Sequence, residues 1–184
     1  MSKNPIEHAI RLSCQGDEAG YESLFETFSA VVYRLIVGMG IDSSEAEELT
    51  QDVFLNAFRA IKTYDARRAS FLTWLLRIAH NLTLNHLRIS RAQLVHLEES
   101  EMDNITTTEE EETFLEEETE ALQHAITRLR GEERELLQMF YYENLSLKEI
   151  AYVTDSNAQA LANRLSRIRK KLRRIIETER DKNN

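Results

Sequence analysis

Two segments of this chain combine Arg, Lys and Asn at helical spacing, a side-chain chemistry suited to contact with nucleic acid. The first, SFLTWLLRIAHNLTLNHLRIS at residues 70–90, has an apolar stripe made of Phe71, Trp74, Leu75, Ile78 and Leu82. Beside the stripe lies a polar row made of Arg77, Asn81, Asn85 and Arg88. Arg pairs with guanine and holds phosphate, and Asn pairs with adenine, so this row suits a base-reading surface. The alternative interpretation is a merely solvated outer face.

The second segment, LSLKEIAYVTDSNAQALANRLSRIRKKLRR at residues 145–174, predicts a helix-turn-helix. Ser146 caps a short helix, residues 155–157 form the turn, and a long helix starts at Ala158. Seven of the eleven residues from 164 to 174 are basic. The basic edge of the long helix consists of Arg164, Arg167, Lys171 and Arg174. Recognition helices are presented to a major groove in this way, whereas the alternative interpretation is a solvated helix or a partner-binding zipper.

An acidic block separates these two segments. Residues 98–120 hold twelve of the 32 acidic side chains and no Lys or Arg, so the rest of the chain has 20 acids and 23 bases. The net charge of -9 therefore hides a slightly basic remainder that is compatible with a polyanionic partner. Dense like charge with few apolar residues predicts an extended connector.

Composition excludes several classes of protein. A single cysteine, Cys14, rules out an internal disulfide framework and a multi-cysteine zinc site, and it fits a reducing compartment. His80 and His86 lie six residues apart without a carboxylate at ligand spacing, so we expect neither a metal site nor a cofactor. No run of eighteen apolar residues and no secretory signal occur, which predicts a cytoplasmic protein without membrane insertion.

One proline and five glycines leave little to interrupt helices, and strand-type alternation is absent, so the chain is predicted to be all-α. Helices should break at Gly16-Asp17, Gly38-Met39-Gly40 and Gly131, with Asp42 and Ser70 starting two of them and the one from Ser70 ending near Ile89. The seam of the last helix should be Leu161, Leu165, Ile168, Leu172 and Ile175. The predicted organisation is a module at 1–96, an acidic flexible linker at 97–120 and a helix-turn-helix module at 121–184.

Four segments together resemble the extracytoplasmic-function (ECF) sigma factors of bacterial RNA polymerase. They are AEELTQDVFLNAFRAIKTYD, SFLTWLLRIAHNLTLNHLR, ERELLQMFYYENLSLKEIA and NRLSRIRKKL, in the order and spacing of that family. The resemblance implies a promoter-recognition subunit that binds core RNA polymerase and promoter DNA. Its first module would melt and read the minus-ten element, and its second would read the minus-thirty-five element.

The resemblance also assigns roles to residues of the first module. It implies minus-ten contacts for the polar row and for the loop of residues 64–69, which would capture a flipped base. The loop residues concerned are Tyr64, Arg67 and Arg68. Tyr64 could stack on a base or could instead anchor the loop, and Trp74 is expected to be a core residue. The implied polymerase-binding surface consists of Glu45, Glu47, Glu48, Gln51, Asp52 and Asn56.

The second module departs from the family pattern at its recognition helix. Where relatives commonly have Gly-Thr-Val and a following cation, this chain has Gln159-Ala160-Leu161-Ala162. Reading of the minus-thirty-five element would therefore depend on the flanking polar residues, with phosphate contacts from the basic edge. The implied set is Asn157, Gln159, Asn163, Arg164, Arg167, Lys171 and Arg174. The usual proline before this module is replaced by Arg130-Gly131.

Two further features suggest regulation. The family implies that the acidic linker passes through the polymerase cleft as a mimic of RNA charge, and the alternative is a solubilising spacer. Thr63 follows Lys62 where relatives often have an acid, so a phosphate there would supply the missing negative charge. The alternative for Thr63 is an ordinary helix-terminating residue. The expected controlling partner is thus an anti-sigma factor or a serine/threonine kinase.

Two other classes of protein share some of these sequence features. A metal-dependent nuclease would need carboxylates clustered in a concave site, but the acids here lie along helix faces or in the linker, so no enzyme is predicted. The stronger rival is a helix-turn-helix transcription regulator that acts without being a polymerase subunit. Co-purification with core polymerase distinguishes the two.

Overall fold

The computed structural model describes the backbone of residues 4–94 and 114–183, and the side chains of residues 4–90 and 121–178. Within these ranges the chain is helical and contains no strand, which confirms the all-α prediction. The helices are α1 (Pro5–Cys14), α2 (Glu18–Gly38), α3 (Ser43–Ala60), α4 (Phe71–Leu94), α5 (Phe114–Thr127), α6 (Gly131–Leu137), α7 (Leu147–Thr154) and α8 (Ala158–Asn183). A 3-10 turn at Ile61–Thr63 follows α3, and a π-helical turn at Gln138–Tyr142 follows α6. In the part of the chain described here, no helix has the length and apolarity needed to cross a membrane.

Side-chain caps start the helices at the predicted places. The Asp17 carboxylate accepts a hydrogen bond from the Ala19 amide at 3.0 Å, and that of Asp42 accepts from the Ser44 and Glu45 amides at 3.0 Å each. Ser70 Oγ accepts from the Thr73 amide at 3.1 Å at the start of α4. One expectation was wrong in detail, because α4 continues past Ile89 to Leu94. The predicted break at Gly131 lies between α5 and α6, and Gly131 is the first residue of α6.

The N-terminal half of the chain packs α1 to α4 around one apolar core. Leu24, Val32 and Leu35 of α2 are fully buried beside Val53 of α3 and Leu75 of α4. The buried face of α4 is rotated from the predicted stripe, because Leu76, Ala79 and Thr83 are fully buried while Trp74, Ile78 and Leu82 are only partly so. The rotation follows from a second packing surface on α4, which contacts α7 as well as α2 and α3.

The C-terminal half packs α7 and α8 as the predicted helix-turn-helix. Leu161, Leu165 and Ile168 are buried and Leu172 and Ile175 are half-buried, which confirms the predicted seam of α8. Ser146 Oγ and the Glu149 carboxylate form a reciprocal capping box at the start of α7. Asp155 ends α7 in the left-handed conformation with φ 51°, which turns the chain into α8. One contiguous cluster of buried residues joins the two halves.

Candidate nucleic-acid interface

Three members of the predicted polar row lie exposed on α4. Asn81, Asn85 and Arg88 line a surface cleft of about 530 Å³ whose opposite wall is formed by Thr154 and Asp155 of the helix-turn-helix. Their position on one helix face agrees with the predicted row. The amides and the guanidinium therefore face a concave surface with space for a nucleotide base or phosphate.

Arg77 differs from the rest of the row because its guanidinium is engaged by the other half of the chain. Its Nη1 donates a hydrogen bond to the Tyr152 carbonyl at 2.5 Å, and Nη2 lies 3.5 Å from the Asp155 carboxylate. The guanidinium also lies over the Tyr152 ring, 4.8 Å from its centre. In this conformation Arg77 caps the end of α7 and is not available to DNA.

The loop between α3 and α4 is organised by Tyr64. Its ring packs against Phe71 and Trp74 with ring centres 5.5 Å apart, and its hydroxyl donates to the Ala69 carbonyl at 3.2 Å. Burial and the nearby Glu7 carboxylate raise the pKa of the Tyr64 phenol, which therefore stays protonated as a donor. Of the two interpretations, these contacts favour the loop anchor over a free stacking platform.

Arg67 and Arg68 are both exposed at the outer edge of this loop. The Arg67 guanidinium holds Asp65 through two contacts, Nε to Oδ1 at 2.9 Å and Nη2 to Oδ2 at 2.7 Å. This side-chain hydrogen bonding lowers the pKa of Asp65. Arg67 is thus partly neutralised within its own turn.

Helix α8 uses one predicted base-reading residue as its cap. The Asn157 side-chain carbonyl accepts hydrogen bonds from the Gln159 amide at 2.8 Å and the Ala160 amide at 3.3 Å. Gln159 and Asn163 are exposed on the same helix. Asn157 therefore has a structural role here, whereas Gln159 and Asn163 are exposed and stay predicted base contacts.

The basic edge of α8 is divided into two kinds of residue. Arg167 and Arg174 are exposed to solvent. Arg164 contacts the Glu132 carboxylate at 2.5 Å, and Lys171 contacts the Glu133 carboxylate at 2.6 Å, both from α6. The pKa of Glu133 is lowered because hydrogen bonds from Lys171 and the Arg130 amide outweigh its partial desolvation. A phosphate would have to compete with these acids for Arg164 and Lys171.

The outward face of α3 carries the predicted polymerase-binding set. All six members are exposed: Glu45, Glu47, Glu48, Gln51, Asp52 and Asn56. Leu55, which is 52% exposed, lies among them and adds an apolar contact surface. Glu45 Oε2 lies 3.4 Å from His86 Nε2, within ion-pair distance but without hydrogen-bond geometry. A face of this composition suits a basic partner with an apolar centre.

Thr63 is exposed in the turn that follows α3. Its hydroxyl donates to the Ala60 carbonyl at 2.7 Å, the local contact expected of a helix-terminating threonine. Lys62 beside it is also exposed. The hydroxyl is therefore used locally, although its position on the surface leaves it accessible.

Sequence patterns did not indicate the polar contacts that join the two halves. His80 of α4 and Glu135 of α6 are buried and hydrogen bonded to each other, and Arg34 of α2 binds Glu143 at 3.1 Å. His80 shares the face of Leu76 and Thr83, so its burial could have been inferred from helix periodicity once the α4 face was known. Its partner, 55 positions away, could not. Over the described residues, no group of three or more His, Cys, Asp or Glu could hold a metal ion.

The acidic linker lies mostly outside the described residues. Helix α5 begins at Phe114, inside the predicted linker of 97–120. The predicted module boundaries stay predictions.

Comparison with known proteins assigns both halves to one family. The sigma-70 region 2 model matches residues 24–92, and the sigma-70 region 4 model matches residues 119–172. The ECF RNA polymerase sigma factor RpoE of Cereibacter sphaeroides is 31% identical over 142 residues, covering 75% of this chain and 76% of the relative. The ECF RNA polymerase sigma factor BldN of Streptomyces coelicolor is 30% identical over 163 residues, covering 88% of this chain and 62% of BldN.

Solved structures with low sequence identity share the fold. CnrH in complex with the cytosolic domain of CnrY has a TM-score of 0.65 at 18% identity and covers 95% of this chain and 99% of that one. The sigma factor RpoE of Bartonella quintana, in complex with the anti-sigma factor NepR, has a TM-score of 0.67 at 16% identity and covers 85% and 96%. With its region 2 and region 4 matches and its 31% identity to a relative of which it covers 76%, the chain belongs to the ECF sigma factors, which direct transcription initiation by RNA polymerase.

Proposed function

We propose that the two modules divide promoter recognition between them, region 2 at the minus-ten element and region 4 at the minus-thirty-five element. The observation that carries this proposal is the exposure of Asn81, Asn85 and Arg88 on α4 and of Arg167 and Arg174 on α8. Amides suit base edges, whereas the exposed α8 cations suit phosphate. The region 2 match favours this function over a plain helix-turn-helix regulator, which would need no such module.

Core RNA polymerase is the proposed partner of the α3 face. Its exposed acids and Leu55 would dock on a basic surface with an apolar centre. The test is co-purification with core polymerase, comparing wild type with Glu48→Lys and Asp52→Lys. The reversal of charge should abolish co-purification, and Glu22→Lys on the exposed surface of α2 is the matched control. Equal recovery of all variants would contradict the assignment of α3. We also propose a cytoplasmic location, where this partner resides.

The acidic linker is proposed to act inside the polymerase rather than as a spacer. Its charge is the supporting observation, because an acidic segment suits a channel built for nucleic acid. Replacing residues 109–112 and 116–118, all glutamates, by Gln should leave the modules folded, since solvated acids add little stability. Open-complex formation or promoter escape should then be impaired. Unchanged kinetics of both steps would establish the spacer.

Control by an anti-sigma factor or by a kinase remains a proposal for the same chain. The structure of the Bartonella sigma factor contains the anti-sigma factor NepR, which supports an anti-sigma factor here. The kinase proposal depends on the exposed Thr63 beside Lys62. The test measures polymerase binding by Thr63→Ala, Thr63→Glu and kinase-treated wild type at fixed salt. Equal binding by treated and untreated protein, with full activity of Thr63→Ala, would exclude the kinase.

A further inference from the structure

A second cleft lies where the end of α1 meets the end of α3, away from the predicted DNA contacts. Its volume is about 330 Å³, at the lower end of the range of about 300 to 1,000 Å³ that is usual for small-molecule sites. Its walls include residues 13–16 at the end of α1, the rings of Tyr21 and Phe58, and the cations Arg59 and Lys62. None of the residues assigned above to promoter or polymerase contacts lines this cleft. Promoter recognition therefore gives it no role.

The charge of the cleft is positive. Arg59 at the end of α3 and Lys62 in the turn that follows are both exposed, and neither side chain forms an ion pair or hydrogen bond with another described residue. Among the described residues that line the cleft, none is acidic. By contrast, Arg67 and Lys171 each hold a carboxylate of their own chain. Two unpaired cations at a concave surface without an acid attract an anion.

A buried hydroxyl without a partner borders the same cleft. Ser13 is 1% exposed, and its Oγ has no hydrogen-bond partner. Nearly all buried polar groups are hydrogen bonded, and an unsatisfied one costs stability. Gly20 of α2 covers one side of Ser13, because a Cβ at Gly20 would lie 2.6 Å from the Ser13 amide nitrogen. The cleft borders Ser13 on another side, so a polar atom of a ligand there could supply the missing partner.

Two aromatic rings form one wall of the cleft. The ring centres of Tyr21 and Phe58 are 4.5 Å apart, with an angle of 38° between the ring planes. Both side chains are partly exposed. Aromatic walls of this kind bind flat rings by stacking and by burial of apolar surface. The wall, the two cations and the buried hydroxyl together suit a ligand with a ring, a negative charge and a further polar atom.

We propose that this cleft is a binding site for a small anion carried on a flat ring, the chemistry shared by nucleoside monophosphates and aromatic carboxylic acids. The two cations bind the anionic group, the aromatic wall holds the ring, and the Ser13 hydroxyl bonds to a polar atom of the ligand. Because the 3-10 turn at Ile61–Thr63 lines one side of the cleft, an occupant also restricts the turn that leads from α3 into the loop of residues 64–69. The proposal does not depend on the assignment of the promoter contacts.

Protection of the Cys14 thiol tests the site in the full chain. Cys14 is the one cysteine of the chain and lines the cleft, so its alkylation by the neutral reagent iodoacetamide reports on this cleft alone. The probes are adenosine monophosphate and salicylate, which each combine a ring with an anion. Adenosine and inorganic phosphate carry only one of the two parts. Adenosine monophosphate or salicylate should slow the alkylation at a concentration where adenosine and phosphate do not, and the one that does so identifies the class of ligand.

Substitution of the cations tests how the anion is bound. Arg59→Ala or Lys62→Ala should raise the concentration that gives half-maximal protection by about tenfold or more, because each removes a hydrogen bond between charged groups. Lys148→Ala on α7 and Arg173→Ala on α8 are the matched controls, since both remove an exposed cation outside the cleft, and they should leave this concentration unchanged.

Ser13→Ala separates a ligand-binding role of the hydroxyl from a structural one. Thermal unfolding of the free chain should occur at the same or a higher temperature, because the substitution removes an unsatisfied hydroxyl. Protection by the probe should nevertheless weaken. Absence of protection by both complete probes at millimolar concentration would overturn the proposal. So would protection that is unchanged in Arg59→Ala, Lys62→Ala and Ser13→Ala, or that adenosine alone provides equally well.

Discussion

Removing His80 should show how much the buried pair of His80 and Glu135 contributes to the free energy of unfolding. His80→Leu leaves the Glu135 carboxylate 4% exposed without its partner. Removing the partner of a buried carboxyl leaves an unsatisfied polar group, which costs about 1 to 3 kcal/mol of unfolding free energy and more if the group is charged. Replacing both residues by Leu should return stability to within about 1 kcal/mol of wild type, because buried pairs exchange well for apolar residues of similar volume.

Urea unfolding at neutral pH measures these losses. Far-ultraviolet circular dichroism follows both modules, and fluorescence of Trp74, the one tryptophan, follows the N-terminal module. Coincident transitions justify a single unfolding free energy. The losses of the two single variants should together exceed the loss of the double variant by several kcal/mol. If the double variant instead lost the sum of the two single losses, the pair would carry no specific interaction.

Two further predictions concern DNA contacts and acid stability. Arg167→Ala should weaken binding to all promoters and lower the salt slope of the binding constant by about one. Asn81→Ala or Asn85→Ala should instead cost about 1 to 3 kcal/mol of binding free energy, and only at matched minus-ten elements. Equal effects of all three substitutions on matched and mismatched DNA would refute these roles. Ser146→Ala should lower the unfolding free energy by about 1 kcal/mol at neutral pH through loss of the cap. Because hydrogen bonds from Ser146 lower the pKa of Glu149, its stabilisation is present above the unfolded pKa, near 4.5, and is lost as pH falls through the folded pKa. The variant should therefore lose less stability on acidification than wild type, and parallel curves would contradict the capping box.

Local chemistry allowed much of the fold to be predicted from the sequence. Asp17, Asp42, Ser70 and Ser146 each have a side-chain oxygen that satisfies an amide at a helix start, and that need is independent of tertiary packing. The seam of α8 follows from the period of the helix, which is also a local property of the chain. Long-range packing does not enter either argument.

The candidate site was predicted less completely because its residues meet partners from distant parts of the chain. Periodicity correctly placed Arg77 in line with Asn81. It carries no information that the guanidinium binds the Tyr152 carbonyl and the Asp155 carboxylate. The second packing surface on α4 also rotated its buried face from the predicted stripe. The cap formed by Asn157 has a local cause instead, because an asparagine before a helix can accept hydrogen bonds from the first amides of that helix.

Run-off transcription with purified core RNA polymerase on a promoter library tests the central claim most directly. The chain should bind core polymerase and direct transcripts from a subset of promoters that share minus-ten and minus-thirty-five sequences. Asn81→Ala and Asn85→Ala should broaden that subset at the minus-ten element. A chain that bound promoter DNA by itself, failed to associate with core polymerase and yielded no transcript would contradict the account.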